Sequence, residues 1–430
     1  MNNSHILRIT HFFSLTNFNE IFKDKNVNDK IQYTEMIKKL TDENIDISES
    51  LSRELKNLGN KVDVVYFNAE DLQKIWAKER SIKYSESFWK EEILLAQIAY
   101  YKPDILFFQK GTSFKSDYLQ SLKKRFPFIK KIVFHTAYLG TTWRMDVVDH
   151  LLVGTPGLVE RYRQKGLKAE LFYHYFDKEI WERYSSFPKE KKYDVTFLGA
   201  SGYGGGFLHS ARYQYLEYLI KNTNIVMWLL ESNKKIKNDR YKIMFRNTLK
   251  KALAFIPDST LNFLQKLIKK EKFNNTILEV LLEKQFGKEG KVVPKDPLTR
   301  IYPERCFNAL HGKDYYEKIA MSKISFCKSG EVIFHGKSTK GNIGALRLFE
   351  STGLGSCLVT DWGPNLNDLF EDGKEIISYK NKEEAASNIL YLLNNKRVRD
   401  EIAAAGQART FKDHLAVNRA EQFQYIISQK

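Results

Sequence analysis

The chain has 430 residues, of which 43% are hydrophobic and 28% are charged, as in an ordinary soluble protein. This length allows two domains, each with its own core. The three cysteines show no paired spacing, which argues against a disulfide framework and is typical of a reducing cytoplasm. No signal-peptide pattern opens the chain, and no apolar run reaches the roughly 18–20 residues that cross a bilayer. We therefore expect a cytoplasmic protein.

The net charge of +17 is concentrated in one stretch of the chain. Residues 234–272 contain 12 Lys and Arg against three Asp and Glu, with apolar residues at helical spacing. Such a segment is typical of a helical insertion that packs on its own domain, or of a surface that contacts an anionic membrane. Binding to nucleic acid is not expected, because no nucleic-acid motif accompanies the charge.

Short apolar runs alternate with helical patterns in the first half of the chain. This alternation predicts a parallel sheet that is covered by helices on both faces. The predicted strands are residues 5–13, 61–67, 104–109, 131–135, 150–154 and 169–175, and the predicted helices are residues 32–58, 88–101, 116–125 and 156–165. Residues 187–192 have the composition of a linker, so the first domain is predicted to span residues 1–190.

A second alternation of strands and helices begins at residue 193. The predicted strands are residues 193–199, 225–230, 323–327, 357–360 and 375–379, and the predicted helices begin at about 210, 314, 382, 397 and 417. This second domain is predicted to span residues 191–412, with a helical insertion at about 234–300. A last helix in 413–430 is expected to pack back toward the N-terminal domain. The predicted fold class is α/β, with two Rossmann-like doubly wound domains facing a cleft.

The run from Gly341 to Asp361 indicates a function most clearly. Glycines precede a short helix, and this arrangement lets backbone N–H groups approach an anion. Within that helix, Arg347 can chelate a phosphate, and Glu350, one turn later, can accept hydrogen bonds from sugar hydroxyls. The combination suits a ligand that carries both a diphosphate and a ribose, such as a nucleotide-sugar.

The same residues carry a family resemblance. Arg-Leu-Phe-Glu-x-x-Gly-x-Gly-x-x-Leu-x-Thr-Asp at 347–361, followed by Asn-Asp-Leu-Phe-x-x-Gly-Lys-Glu at 367–375, resembles the donor half of group 1-like GT-B glycosyltransferases, closest to the spore-maturation type. The resemblance covers residues from about 313 to the C-terminus and, more weakly, 193–212. It implies that a nucleotide-diphosphate-sugar is the donor and that Glu350 holds its ribose. Retaining members carry a further glutamate where this chain has Asn342, so the stereochemical outcome stays open.

Further donor-binding candidates lie in loops that follow predicted strands. A glycine-rich loop comes directly after the strand at 193–199, and Lys337 and Asn342 come before the Arg347 helix. For the glycine-rich loop, the alternative is a plain flexible loop. For His209 and Arg212, which begin the following helix, it is a surface pair, and for Lys337 it is a solvated loop lysine. The donor-binding candidates are Gly199, Ser201, Gly202, His209, Arg212, Lys337, Asn342, Arg347 and Glu350.

The first domain is expected to hold the acceptor. An inverting reaction needs a base that removes the proton of the acceptor hydroxyl, and His135, which ends a predicted strand, is the candidate. A hydrogen-bonded structural histidine is the alternative. The acceptor-side candidates, all at or after strand ends, are His11, Gln109, Tyr138 and Trp143. The two aromatic rings either stack on a sugar or pack their own loop.

These observations together predict a metal-independent glycosyltransferase that needs no cofactor. The sequence has no Asp-x-Asp after a strand and no His/Cys ligand cluster. The expected acceptor is a glycan or a lipid-linked saccharide in bacterial surface polysaccharide synthesis, at the inner face of the cell membrane if the basic segment binds there. The alternatives are a nucleotide-sugar epimerase or hydrolase of the same fold, and a non-catalytic scaffold that binds a glycan or a nucleotide.

Overall fold

The computed structural model describes residues 3–11, 32–42, 48–109, 116–136, 147–184, 190–203, 210–231, 248, 296–329, 333–334, 337–338 and 343–429. The basic segment 234–272, apart from the single position 248, lies outside these residues. The chain divides into two compact units. Unit 1 consists of Met1–Phe187, His311–Tyr316 and Ala408–Lys430, and unit 2 consists of Pro188–Leu310 and Glu317–Gln407.

Unit 1 is built on a six-stranded parallel sheet with the strand order β2-β1-β3-β4-β5-β6. The strands are buried almost throughout, as expected for a parallel sheet with helices on both faces. They are β1 (His5–Thr10), β2 (Lys61–Tyr66), β3 (Ile105–Gln109), β4 (Lys131–Thr136), β5 (His150–Val153) and β6 (Ala169–Leu171). The helices are α1 (Tyr33–Asp42), α2 (Ser48–Asn57), α3 (Glu70–Glu79), α4 (Trp89–Tyr101), α5 (Ser116–Arg125), α6 (Pro156–Arg163), α7 (Lys178–Tyr184) and α15 (Ala416–Ser428).

Three predicted elements of unit 1 differ in the structure. The predicted strand 5–13 ends at Thr10, because its partner β2 ends in register with it at Tyr66. The predicted helix 32–58 consists of two helices, α1 and α2, because its two halves serve different cores: Met36 packs with Trp76, whereas Leu51 packs with Ile6 and Phe423. The predicted strand 169–175 ends at Leu171. Its partner β5 ends at Val153, which leaves no further strand to pair with. Helices α3 and α7 were not predicted.

Unit 2 contains the second six-stranded parallel sheet, with the order β14-β13-β10-β7-β8-β9. Its strands are β7 (Tyr193–Ala200), β8 (Ile225–Leu230), β9 (Cys306–Asn308), β10 (Ser322–Cys327), β13 (Cys357–Asp361) and β14 (Ile377–Tyr379), and a separate antiparallel pair is formed by β11 (Ile333–Phe334) and β12 (Lys337–Ser338). The remaining helices are α8 (Ser210–Asn222), α9 (Leu298–Ile301), α10 (Gly312–Ala320), α11 (Leu346–Gly353), α12 (Leu366–Leu369), α13 (Lys382–Asn394) and α14 (Lys396–Asp413). Helices α10 and α14 contain residues of both units.

The predicted strands of unit 2 are all present, and β9 is an additional strand at the sheet edge. It has only three residues, and Phe307 and Asn308 are exposed, so no apolar run marks it in the sequence. The chain proceeds outward from β7 through β8 to β9, and then returns to β10 on the other side of β7. The neighbouring strands β7 and β10 therefore continue into loops that leave in opposite directions. This change of direction is the topological switch point of a Rossmann-like sheet.

Candidate functional site

The carboxyl ends of β7 and β10 form the switch point of the unit 2 sheet, where ligands bind in open α/β folds. β7 ends at Ala200 and β10 ends at Cys327. Three cationic side chains belong to this edge: Arg212 from α8, Lys328 from the loop after β10 and Arg347 from α11. We call these three side chains the cationic cluster.

Arg347 lies against the backbone of β7. Its guanidinium carbon is 4.9 Å from the centroid of the Phe197 ring, and the side chain is partly exposed. Gly199 leaves room for it, because a Cβ atom at position 199 would overlap Nη2 of Arg347. The φ of Gly199 is +140°, which L side chains rarely adopt. Gly199 therefore acts by allowing the close approach of Arg347.

Arg212 joins the two loops of the switch point. Its Nε donates to the backbone oxygen of Lys328 at 3.0 Å, and its Nη1 donates to the backbone oxygen of Ala200 at 2.9 Å. Burial, followed by the charge of Arg347, lowers the pKa of Arg212 to about 10. The guanidinium groups of Arg212 and Arg347 repel each other where water screens them only in part. A bound anion would offset this repulsion, so the place is electrostatically suited to an anion.

Lys328 was not predicted as a site residue, and it contributes the third cation. Its Nζ is 3.1 Å from Oδ2 of Asp361, and the backbone N–H of Ser329 donates to Oδ1 of the same carboxylate at 2.9 Å. Asp361 ends β13, the strand next to β10. This ion pair holds the loop after β10 at the sheet edge. The sequence signal for this position is a lysine directly after a buried strand, which does not distinguish Lys328 from a solvated loop lysine.

Ser201 and Gly202 shape the start of the glycine-rich loop. The Ser201 hydroxyl donates to Glu231 and accepts from the backbone N–H of Tyr203 at 3.1 Å, while Gly202 has a φ of +90°. Glu231, which follows β8, also accepts from the N–H and the hydroxyl of Thr299, at 3.0 and 2.9 Å. The hydroxyl of Ser201 is thus engaged in holding the loop. Glu231 was not predicted, although a carboxylate directly after a strand was a signal for it.

Glu350 lies one turn after Arg347 on α11 and is only 4% exposed. The segment before α11 is fixed by a reciprocal pair of hydrogen bonds. The backbone N–H of Ile343 donates to Oδ1 of Asn365 at 2.7 Å, and Nδ2 of Asn365 donates to the Ile343 oxygen at 2.7 Å. Arg347 and Glu350 are therefore presented by a helix whose start is held in place.

Several predicted site residues lie outside what the structure describes. This applies to His209 and Asn342 on the donor side and to Tyr138 and Trp143 on the acceptor side. Lys337 lies in β12, where the backbone is described and the side chain is not. Their predicted roles remain predictions.

The candidates in unit 1 lie at the carboxyl edge of its own sheet. Gln109 and His135 are register neighbours on β3 and β4. The predicted strand end at His135 is wrong by one residue: β4 continues to Thr136, and the His135 ring is 4% exposed, with edge-to-face contacts to Phe172 and His174. His11 follows β1 and contacts the Phe67 ring at 5.6 Å.

Within the ranges given above, no group of three or more His, Cys, Asp or Glu residues is arranged to hold a metal ion. Among the same residues, no helix has both the length and the apolar character that crossing a bilayer requires.

Comparison with known proteins agrees with this geometry. Residues 284–424 match a family model described as "Glycosyl transferase-like". No curated protein matches the chain in sequence. The narrower resemblance to the spore-maturation type remains a prediction.

Solved structures share the fold at low sequence identity. HepE from Anabaena, in a crystal structure with UDP and glucose, is 11% identical, with a TM-score of 0.55 and 100% of each chain covered. Sucrose-phosphate synthase from Thermosynechococcus elongatus is 10% identical, with a TM-score of 0.52, and 99% of this chain and 98% of that chain are covered. A glycosyltransferase from Rickettsia africae is 10% identical, with a TM-score of 0.52 and 100% of each chain covered. The chain thus has the GT-B fold of two Rossmann-like domains, and its residues 284–424 are similar to the glycosyl transferase-like family.

Proposed function

We propose that the protein is a glycosyltransferase that moves a sugar from a nucleotide-diphosphate-sugar to a glycan or lipid-linked saccharide in bacterial surface polysaccharide synthesis. The observation that carries this proposal is the cationic cluster at the switch point of the unit 2 sheet. Residues 284–424, which supply the strands of this sheet from β9 onward, match the glycosyl transferase-like family model. A structure with the same fold was solved with UDP and glucose, which supports this class of donor.

The cluster suits the departure of a nucleoside diphosphate. Negative charge grows on the leaving diphosphate in the transition state, and groups already in place stabilise it most effectively. Arg347 is partly exposed at the edge, and Lys328 and Arg212 lie behind it with their backbone and side-chain partners fixed. Glu350 is the candidate for the ribose hydroxyls, as the family resemblance implies.

The proposed base for an inverting reaction remains His135. Its neutral imidazole would take the proton of the acceptor hydroxyl. We expect His135→Asn to lower kcat while leaving the affinity for the donor unchanged, because His135 belongs to unit 1 and the cationic cluster to unit 2. Unchanged turnover in this variant would remove His135 from the mechanism.

Donor binding in two variants tests the proposal. We expect Arg347→Ala to lower the affinity for the nucleotide-sugar at least about 100-fold, because charge-assisted hydrogen bonds to the diphosphate are lost. We expect Glu350→Ala to lower it about 10-fold, because the ribose hydroxyls lose a carboxylate acceptor. Isothermal titration with UDP-, GDP-, ADP- and dTDP-glucose measures this. Arg397→Ala is the matched control, since Arg397 is exposed on α14 and pairs only with Glu401 within the described part of unit 2.

Product analysis by mass spectrometry separates transfer from the alternatives. A sugar added to a glycan or lipid-linked acceptor supports the proposal, whereas an isomerised or hydrolysed donor indicates an epimerase or hydrolase. Wild-type affinity in both Arg347→Ala and Glu350→Ala would contradict the assignment of the site.

We also propose that the reaction needs no metal and no cofactor, because Arg347 and Arg212 offer the positive charge that a diphosphate requires, while Lys328 is balanced by Asp361. Turnover that is unchanged by EDTA is the expected result. Loss of turnover in EDTA that Mg²⁺ or Mn²⁺ restores would contradict it.

A cytoplasmic location at the inner face of the membrane is the last part of the proposal. It rests on the net positive charge of residues 234–272, because each cation near an anionic surface contributes about 1 kcal/mol of attraction. The protein should float with anionic liposomes in a density gradient and be released at high salt. A variant without residues 234–272 is the control, and unchanged flotation of this variant would refute the membrane contact.

A further inference from the structure

Trp362 is exposed at the same edge of the unit 2 sheet as the cationic cluster. Its relative exposure is 48%, whereas Trp76, Trp89 and Trp228 are buried and Trp181 is intermediate. An indole is among the largest apolar groups in a protein, so an indole left in water forgoes the favourable free energy of burying its apolar surface. An exposed Trp beside a ligand-binding edge therefore indicates a contact that a ligand completes.

The backbone around Trp362 is well anchored. Its N–H donates to the backbone oxygen of Tyr379 at 2.8 Å, and the oxygen of Gly363 accepts from the N–H of Leu366 at 3.0 Å. Nζ of Lys380 lies 5.8 Å from the centroid of the indole ring, and the N–H of Lys380 is itself held by Glu384 at 2.7 Å. The ring is consequently presented from a fixed position, which lowers the entropic cost of binding.

Trp362 directly follows a residue of the site. Asp361 pairs with Lys328, a member of the cationic cluster, at 3.1 Å. β13, which ends at Asp361, is the immediate neighbour of β10, and adjacent strands are about 4.8 Å apart. Trp362 thus follows a strand that is one place from β10 and two places from β7, roughly 5–10 Å along the sheet from the strand ends at the cluster, which one or two sugar rings can span.

The chemistry of the indole fits a pyranose. A pyranose has an apolar face of C–H groups and an edge of hydroxyl oxygens, and the indole offers an apolar face and one N–H donor. Within the part of the chain that the structure describes, no hydrogen bond uses the Trp362 Nε1–H. We propose that Trp362 stacks on the sugar of the nucleotide-sugar and thereby selects a pyranosyl donor. This inference rests on the proposed function and identifies the part of the donor that Trp362 binds.

Comparing each nucleotide with its own sugar conjugate tests the inference. The wild type is titrated with UDP, GDP, ADP and dTDP and with the glucose conjugate of each. The nucleotide and conjugate that bind most tightly are then titrated into the variants. We expect Trp362→Ala to weaken binding of the glucose conjugate about 10-fold, as loss of a stacked aromatic contact does, and to leave the free nucleotide unchanged. Trp362→Phe should retain most of the affinity. Tyr391→Ala, which removes another exposed aromatic ring of unit 2, is the matched control.

The remaining outcomes of these titrations would contradict either the inference about Trp362 or the proposed function. Equal weakening for the free nucleotide and the conjugate would mean that Trp362 contacts the base or supports the fold, and would overturn the inference. Unchanged affinity for both ligands in Trp362→Ala would overturn it as well. Absence of binding of every nucleotide and conjugate to the wild type would instead refute the proposed function itself, together with the inference.

Discussion

The two parallel sheets have the same number of strands and place their arginines differently. In unit 1, Arg8 is completely buried on β1 and donates to the neutral oxygens of Ser52 and Gln109. In unit 2, Arg347 is partly exposed at the edge, next to Arg212 and Lys328. A buried arginine whose donors are used inside the protein stabilises the fold, whereas a cluster of cations at an edge attracts an anion. The same architecture thus holds a buried arginine with internal partners in one unit and, under the proposed function, a site for the donor diphosphate in the other.

Replacing the buried arginine should have the largest effect on stability. We expect Arg8→Ala to lower the free energy of unfolding by about 3 kcal/mol or more, because a cavity forms and the acceptors of Gln109 and Ser52 lose their donor. Chemical denaturation measures this. The control is Arg163→Ala, whose side chain is largely exposed. If Arg8→Ala and Arg163→Ala had equal free energies of unfolding, Arg8 would not stabilise the fold. The contrast drawn between Arg8 and Arg347 would then be wrong.

A methyl group at Gly199 should damage the cationic cluster. We expect Gly199→Ala to lower nucleotide affinity at least about 10-fold, because the added Cβ displaces Arg347 and an L side chain is strained at this φ. Titration with the best nucleotide of the panel measures the effect. Gly154→Ala is the matched control: Gly154 follows β5 at the corresponding edge of unit 1, and nothing lies within 4 Å of its added Cβ. Equal affinity in both variants would mean that the position of Arg347 does not matter.

Replacing Glu231 should weaken donor binding less than replacing Arg347, because Glu231 supports the loop and does not face the anion. In Glu231→Gln, one oxygen becomes an N–H₂ group that cannot accept from Ser201 or Thr299. We expect a loss of about 1–2 kcal/mol in stability and a raised KM for the donor with kcat retained. Ser201→Ala removes one of the bonds and should give a smaller change in the same direction. A lowered kcat with unchanged KM would contradict the supporting role.

Lys191 lies before β7, at the opposite edge of the same sheet, and should respond to pH. It donates to the backbone oxygens of Ala320 and Gly355, both at 2.8 Å, and burial lowers its pKa to about 8. Between pH 8 and 10.5, the unfolded chain holds this proton while the folded chain has released it, so stability rises with pH over this window. The wild type should gain about 2 kcal/mol relative to Lys191→Met between pH 7.5 and 10. Urea denaturation of both proteins checks this, and a difference that does not vary with pH would contradict the low pKa.

Much of the fold was predictable because strands in parallel sheets are continuous apolar runs. The boundaries of β8 were correct to the residue, and those of β7 and β13 to within one. The exceptions have physical reasons. β9 is a short edge strand with two exposed residues, and the division of residues 32–58 into α1 and α2 follows from contacts with two different cores.

The candidate site was predictable only in part. Arg347 and Glu350 were predicted from their spacing and from the family motif, and Gly199 from its place after a strand. Lys328 and Glu231 were missed, because a single charged residue after a strand resembles any solvated loop residue. The bonds of Lys328 to Asp361 and of Glu231 to Thr299 join residues that are 33 and 68 positions apart in the chain.

The amino-acid sequence by itself determined the α/β class, the alternation of strands and helices, and the glycine-led helix that carries Arg347 and Glu350. These features depend on local periodicity and on the conformational freedom of glycine, both of which act between near neighbours. Only the tertiary structure decided the strand order, the burial of Arg8 and His135, and the meeting of Arg212, Lys328 and Arg347 at one edge. Such outcomes depend on which distant segments pack together, because the order of the strands is set by the burial of whole elements.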